Sequence, residues 1–356
     1  MSVIYRVIGL MSGSSLDGLD IACCDFSQVD GTWRFSIPHA VCKPYSDGWV
    51  KRLREAHHMA GKDLWQLHVD FGRYSGEAVR DFIAEHKIAD TMLVGSHGHT
   101  VFHFPQDGFT TQIGDGAALA VAAGIPVACD FRSTDIARGG QGAPLVPIGD
   151  KLLFGDYKFL LNLGGIANVT MQGNETVAFD ICSANQVLNF YAYQKGQVFD
   201  KDGAFAAQGK FDQSLFDALN ALDYHKQPYP KSLDNGYSRD VIIPLMEKTH
   251  LSVEDKLHTF CEHIAYQIAA AIKAMPHAAS DKLMASGGGV FNSHLMERIK
   301  HYAPVMVVRP DDAIIHYKEA LVFAFIGLLR WLGEENVLAS VTGAKGNSIA
   351  GAIYLS

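Results

Sequence analysis

Apolar residues cluster at positions 3–10 and again at 21–26, on either side of a turn holding Gly13, Ser14, Ser15, Leu16, Asp17, Gly18, Leu19 and Asp20, a pattern that predicts a hairpin opening a sheet. From 64 to 86 the apolar positions recur at helical spacing, while 92–94 and 127–129 read as short buried strands. A second strand-rich start follows at 158–163, with Gly164-Gly165-Ile166-Ala167-Asn168, then 169–171 and 177–180. Residues 200–234, rich in Lys, Asp, Gly, Pro and Tyr, read as loop and short helix outside the core, a candidate lid over a cleft. Further on come an amphipathic helix at 257–274, a buried strand at 282–285, a Gly turn at 286–289 before a helix at 292–299, a strand at 305–309, and a helix at 318–331 with Glu319 near its start. Strands alternating with helices define an α/β chain. The theme of strand, Gly-containing turn, strand occurs twice, which predicts a duplication.

A chain of 356 residues exceeds what one core usually organises. We therefore expect two domains with a cleft, residues 1–150 joined by the C-terminal segment 340–356, and residues 151–339. The net charge of −8, without a run of Lys or Arg, argues against nucleic acid and against an anionic membrane surface. Small molecules are the expected partners, and a homodimer is left open. The six cysteines sit mostly in apolar stretches with no C-x-x-C pair, so reduced buried thiols are expected. No export signal or spanning helix is visible, which points to a soluble cytoplasmic protein.

Chemistry concentrates at three glycine-rich turns, each following a strand: 13–18, 164–165 and 287–289. Gly lets backbone N–H groups approach phosphate oxygens, and Ser hydroxyls add uncharged donors. Any one such turn is as readily an ordinary tight turn; three together point to a nucleotide. Neither a P-loop motif nor a G-x-G-x-x-G before a helix is present, so phosphate binding has to be built another way. Asp17 and Asp20 beside phosphates would repel unless a Mg²⁺ ion lay between them, held directly or through water. Alternatively Asp17 caps the turn and Asp20 starts the next strand.

The run Gly9 to Asp20 resembles the ATP-binding opening of the anhydro-N-acetylmuramic acid kinases. Similar matches follow in order: Ser96-His97-Gly98-His99-Thr100-Val101, Gln112-Ile113-Gly114-Asp115, Asp130-Phe131-Arg132, Asp135-Ile136-Ala137, Gly139-Gly140-Gln141-Gly142-Ala143-Pro144-Leu145-Val146-Pro147, Asn162-Leu163-Gly164-Gly165-Ile166-Ala167-Asn168, Gly287-Gly288-Gly289, and the close at Ser340-Val341-Thr342-Gly343-Ala344 with Gly351-Ala352-Ile353. The resemblance implies a duplicated ribonuclease-H-like (actin-like ATPase) fold of two lobes with a central cleft. It implies an ATP- and Mg-dependent sugar kinase of peptidoglycan recycling that opens 1,6-anhydro-N-acetylmuramic acid with water and phosphorylates O6, giving N-acetylmuramic acid 6-phosphate. It also implies that Asp180 is the base that activates the water, that Gly13 to Asp20, Gly164, Gly165, Asn168, Gly287 and Gly288 bind ATP, and that His97, Arg132 and Glu319 lie on the sugar side. Asp17 and Asp20 stay the Mg²⁺ candidates. Lys201 is more simply a solvated loop residue.

Several segments depart from the family pattern. Asp-Thr-Gly-Pro-Gly-Asn becomes Asp180-Ile181-Cys182-Ser183-Ala184-Asn185, so the loop beyond the base is expected to differ. Phe-Arg-Arg-Arg-Asp becomes Phe131-Arg132-Ser133-Thr134-Asp135, removing two positive charges. The Gln of His-Gly-Gln-Thr is His99, and Ile315-His316-Tyr317-Lys318 replaces the acidic residues that usually precede Glu319. Two readings are carried forward: the kinase, and a nucleotide-binding actin-like module or diverged sugar kinase with a different substrate.

Overall fold

The opening apolar run becomes β1 (Tyr5–Ser12), and it is followed not by one return strand but by two, β2 (Gly18–Val29) and β3 (Thr32–Pro44), in antiparallel succession. The expected hairpin is thus a three-stranded meander. The structure, a computed structural model, describes residues 3–13, 15–173, 176–229, 231–234 and 236–356. It divides into two units, Met1–Phe154 with Tyr317–Ser356, and Gly155–His316.

In the first unit β4 (Leu93–Phe104) lies parallel to β1 and is flanked by β5 (Phe109–Ile113), antiparallel, and β6 (Val127–Cys129), parallel; the last strand, Ala352–Tyr354, pairs antiparallel with β6. The main order is therefore β3-β2-β1-β4-β6. Both faces of its centre are covered, because Cys23 and Cys24, neighbours that must point to opposite sides of the sheet, are both fully buried. One face packs Leu67, Phe71 and Val79 of the helix Gly61–His86. The other takes the helix Asp312–Leu332, whose approach rests on two glycines in register, Gly9 and Gly95. A Cβ on Gly9 would lie 1.8 Å from the Ala320 carbonyl oxygen, and one on Gly95 would lie 2.2 Å from that of Phe323.

This helix corrects two expectations. It begins at Asp312, with a break at Tyr317 (φ −118°), so Glu319 follows a kink and is not in the first turn. Residues 317–339 also belong with the first unit, where the sequence reading had put them with the second, because Phe325 packs on Phe26 and Trp33 of the first sheet.

The second unit repeats the order with β7 (Phe159–Leu163), β8 (Ile166–Met171), β9 (Val177–Ser183), β10 (Lys282–Ser286) and β11 (Met306–Val308), arranged β11-β10-β7-β8-β9. As in the first unit, the first three strands are antiparallel and the next two parallel to the first. The helix Val253–Lys273 covers this sheet with Phe260, Ile264 and Ile268. Residues 200–234 hold the expected short helix but do not lie outside the core. Short helices run through 201–226, and Ala206, Leu215 and Leu219 enter the core, since Leu215 and Leu219 are one helical turn apart and face inward together. Among the described residues, no helix is long and apolar enough to cross a membrane.

The close approach at Gly9 yields a test. Gly9→Ala should lower stability at the upper end of about 1–3 kcal/mol, because the clash is with backbone that has little room to move. Urea unfolding measures it, and an unchanged midpoint would mean that the helix does not rest on this glycine.

Candidate active site

The second sheet carries a polar row across three strands. Asn162 on β7 pairs with Asn168 on β8, and Asn168 pairs with Asp180 on β9, so their side chains share one face. At Asp180 the row reaches an edge strand. The half-buried carboxylate accepts a hydrogen bond at Oδ2 from the Leu233 amide (2.9 Å), and among the described residues its Oδ1 makes none. The Asp180 main chain is held too: its N–H donates to the Lys231 carbonyl (3.0 Å), and its carbonyl accepts from the Tyr224 hydroxyl (2.6 Å).

Two of the three glycine turns meet beside this row. A Cβ on Gly287 (φ 83°) would lie 2.4 Å from Asn162 Oδ1, and one on Gly289 would lie 2.7 Å from the Leu163 Cβ, so the β10 turn sits directly against the β7 turn. The amides of Ala184, Asn185 and Gln186 donate to the carbonyls of Gly164 and Gly165, which fixes the start of the helix Asn185–Gln194 onto the turn. Without the glycines after Asp180, Ser183 completes β9 and Ala184 keeps a negative φ (−138°) but, with ψ −106°, lies outside the regular strand and helix regions. Beside Gly288 opens a cavity of about 590 Å³, with Asn185, Asn189, Lys201, Phe291 and His316 in its wall. The Phe291 and His316 rings stack at 4.9 Å, and the Arg309 guanidinium lies 5.2 Å from the Phe291 ring. Its volume and its mixture of aromatic and amide groups suit a small organic ligand.

The remaining candidates belong to the first unit. Gly13 to Asp20 joins β1 to β2, and Ser14 lies outside the described residues. Ser15 Oγ donates to Asp17 at the exposed tip, and Leu16 takes φ 60°. Gly18 is already in β2, where a Cβ would meet Cys42 Sγ at 2.6 Å, and the Leu19 side chain is in the core. Behind the turn, the Tyr45 hydroxyl donates to Ser12 Oγ (2.7 Å), which is also hydrogen-bonded to His99 Nδ1 (3.0 Å). Burial pulls His99 below the ordinary imidazole range, so a neutral imidazole stands where the family pattern has Gln.

His97, Arg132 and Glu319 come together. Arg132 donates to His97 Nε2 from Nε (3.1 Å) and lies 2.8 Å from it through Nη2, while Nη1 donates to the Gly142 carbonyl (2.7 Å). His97 Nδ1 therefore carries the proton, facing the Gly98 carbonyl at 2.9 Å. Burial, reinforced by the Arg132 charge, lowers His97 to about 3. Glu319 reaches solvent, yet desolvation and then the charge of Asp20 push its carboxyl above the usual range, against the pull of Lys318 and Arg132. Two carboxylates in mutual repulsion, Asp20 and Glu319, form a donor set that a divalent cation would relieve. Among the described residues no group of three His, Cys, Asp or Glu side chains could enclose a metal, so such a cation would keep water or phosphate oxygens in its shell.

The sequence reading did not select Phe291, His316, Asn189, Tyr224 or Leu233. Phe291 was within reach, being two residues beyond Gly289. Tyr224 and Leu233 carried no signal, because they meet Asp180 across 44 and 53 residues of chain.

Two sheets with the same order, three antiparallel strands followed by two parallel ones, and glycine turns at the ends of β7 and β10, define a protein of the duplicated ribonuclease-H-like, actin-like class. The match can be drawn more finely. The chain belongs to the anhydro-N-acetylmuramic acid kinase family, whose model matches residues 5–356. It is 36% identical over 367 residues to the anhydro-N-acetylmuramic acid kinase of Shewanella amazonensis, with 98% of each chain covered, and 36% identical over 371 residues to that of Shewanella oneidensis, with 97% of each covered. Among solved structures it is similar to the activator of the 2-hydroxyisocaproyl-CoA dehydratase from Clostridium difficile with bound ADPNP, at TM-score 0.43 and 13% identity, covering 90% of this chain and 94% of that one. A xylulose kinase from Rhodospirillum rubrum matches at TM-score 0.34 and 14% identity, covering 70% and 51%.

The Gly-Gly-Gln-Gly run is held by Asp135, which is fully buried and accepts from the Gly142 amide (2.7 Å) and the Thr342 hydroxyl (2.8 Å). Thr342→Val removes the hydroxyl donor from that carboxylate and should cost about 1–3 kcal/mol in urea unfolding. An unaltered midpoint would show that Asp135 does not depend on it.

Proposed function

We propose that this chain is an ATP-dependent kinase that opens 1,6-anhydro-N-acetylmuramic acid with water and phosphorylates O6, giving N-acetylmuramic acid 6-phosphate for peptidoglycan recycling. The observation that carries the reading is the carboxylate of Asp180, with one oxygen fixed by a main-chain amide and the other without a partner among the described residues. A base so held takes a proton from water in a fixed direction. Water oxygen bonds to the anomeric carbon, the bond from that carbon to O6 breaks, and O6 bonds to the γ-phosphorus as ADP leaves. The water's proton goes to Asp180.

Other residues position and neutralise. The adenosine end of ATP occupies the cavity beside Gly288, against Phe291 and His316, and the turns at Gly164–Gly165 and Gly287–Gly288, with Asn168, face the phosphates. The β1–β2 turn adds further phosphate donors. Asp17 and Asp20, with Glu319 close by in charge, would hold Mg²⁺, which neutralises phosphate charge when bound. His97 and Arg132 contact the sugar. Free cysteines, five of the six buried, fit a reducing cytoplasm, where ATP is available.

A second reading concerns the sugar. Where the family pattern has two more arginines, Ser133 donates to Asp130 (2.5 Å) and Thr134 continues a short helix, so Arg132 is the cation left in that run, already shared between His97 and Gly142. This favours tolerance of an anhydro-sugar without the lactyl carboxylate. Comparing 1,6-anhydro-N-acetylglucosamine with the muramic substrate tests it, and strict dependence on the carboxylate would reject it.

Purified protein should release ADP only with anhydro-N-acetylmuramic acid and Mg²⁺ together, and Asp180→Asn should cut release to a small residual rate while keeping ATP affinity; sugar-independent release would reject the kinase. Gly288 has nothing within 4 Å of an added Cβ, so Gly288→Val should fold normally. Its side chain would enter the cavity and weaken ATP binding about tenfold, or about 1.4 kcal/mol, by calorimetry. Unchanged affinity would move the adenosine elsewhere.

A further inference from the structure

The segment that reaches Asp180 is tied to itself as well as to the aspartate. Tyr224, in the short helix Asp223–Lys226, is buried, and its hydroxyl donates to the Asp180 carbonyl at 2.6 Å. Lys231 accepts from the Asp180 amide through its own carbonyl at 3.0 Å. The Lys231 ammonium then returns to Tyr224, donating to its carbonyl at 2.9 Å and lying 4.4 Å from the centre of its ring. Leu233, two residues on, places its amide on Oδ2 at 2.9 Å. Three points of one residue, its amide, its carbonyl and one carboxylate oxygen, are thus gripped by a segment whose two ends are joined by an ammonium.

Less would suffice to cover an edge strand. Main-chain pairing would satisfy the amide and carbonyl of β9, and a solvated carboxylate would need no donor. Here a tyrosine hydroxyl reaches in to take the carbonyl, and a cation over an aromatic face holds that tyrosine in place. Desolvation, followed by the Asp180 charge, pushes the Tyr224 phenol above its ordinary range, so at neutral pH it is protonated and a donor.

We propose that Tyr224 and Lys231 form a latch that positions the Asp180 carboxylate, Tyr224 by holding its main chain and Lys231 by holding Tyr224 and the Leu233 amide in register. This rests on the reading of Asp180 as the base. Neither residue exchanges a proton in the reaction. Each acts through Asp180, so its contribution falls on turnover and not on binding.

The test uses the full-length protein with ATP, Mg²⁺ and anhydro-N-acetylmuramic acid. Tyr224→Phe keeps the ring and its contact with Lys231 and removes only the hydroxyl. It should lower kcat about tenfold while the KM of each substrate and ATP affinity stay unchanged. Lys231→Met should do the same and Lys231→Arg should recover most of the loss. In an Asp180→Asn background, Tyr224→Phe should leave the residual rate unchanged, because there is no longer a base to position. A folded Tyr224→Phe variant with wild-type kcat, while Asp180→Asn keeps only its small residual rate, would overturn the latch and leave the base reading standing. If Tyr224→Phe lowered KM and kcat alike, or reduced the residual rate of Asp180→Asn by its full factor, the latch would also be overturned. Full turnover by Asp180→Asn would remove the base reading and the latch with it.

Discussion

An edge strand leaves half of its main-chain groups facing outward, and some other part of the chain or water has to meet them. In the second sheet β9 is that strand, and at Asp180 the outward amide and carbonyl are met by Lys231 and Tyr224. The same segment supplies the Leu233 amide to the carboxylate. Covering the edge and aiming the side chain are therefore one structural act. The polar row from Asn162 through Asn168 ends in a carboxylate whose direction is set, and the glycine turns at 164–165 and 287–289 close in beside it because no side chain stands between them.

The first unit is governed by a different constraint, the distance between a helix and a sheet. Gly9 and Gly95 let the helix Asp312–Leu332 press its backbone on the two central strands. Glu319 is thereby brought within electrostatic reach of Asp20 and Arg132, and its carboxyl is raised by desolvation first and by Asp20 second. The substitutions that separate this chain from the family pattern fall around such frames without breaking them. His99 keeps a hydrogen bond with the Ser12 hydroxyl, and Ala184 needs no left-handed backbone.

Much of the fold was legible because it is local. Val127–Cys129 stands as expected, Phe159–Leu163 and the long helix Gly61–His86 begin within a few residues of their expected starts, and the repeat of strand, glycine turn and strand foretold two sheets of the same order. The third strand of the meander was missed because Thr32–Pro44 is only half covered and its apolar alternation is correspondingly weak. Short helix was expected within 200–234, but its entry into the core was missed because the Lys, Asp and Gly content hides a pair of inward leucines, 215 and 219. At the candidate site, the glycines could be named because that residue type has a local physical use, whereas Asp180 was named through the family resemblance, an Asp at a strand end being by itself as readily a cap. Tyr224, Lys231 and Leu233 could not be named, since what matters about them is contact across dozens of residues, and nothing in a single sequence records it.

The central claim is that Asp180 directs water at the sugar and not at the nucleotide. Turnover in water enriched in ¹⁸O, stopped early and analysed by mass spectrometry, tests it most directly. The account predicts that the heavy oxygen enters at the anomeric hydroxyl of N-acetylmuramic acid 6-phosphate and is absent from the phosphoryl group. Heavy oxygen in the transferred phosphoryl group, or in free phosphate released in step with ADP, would contradict it.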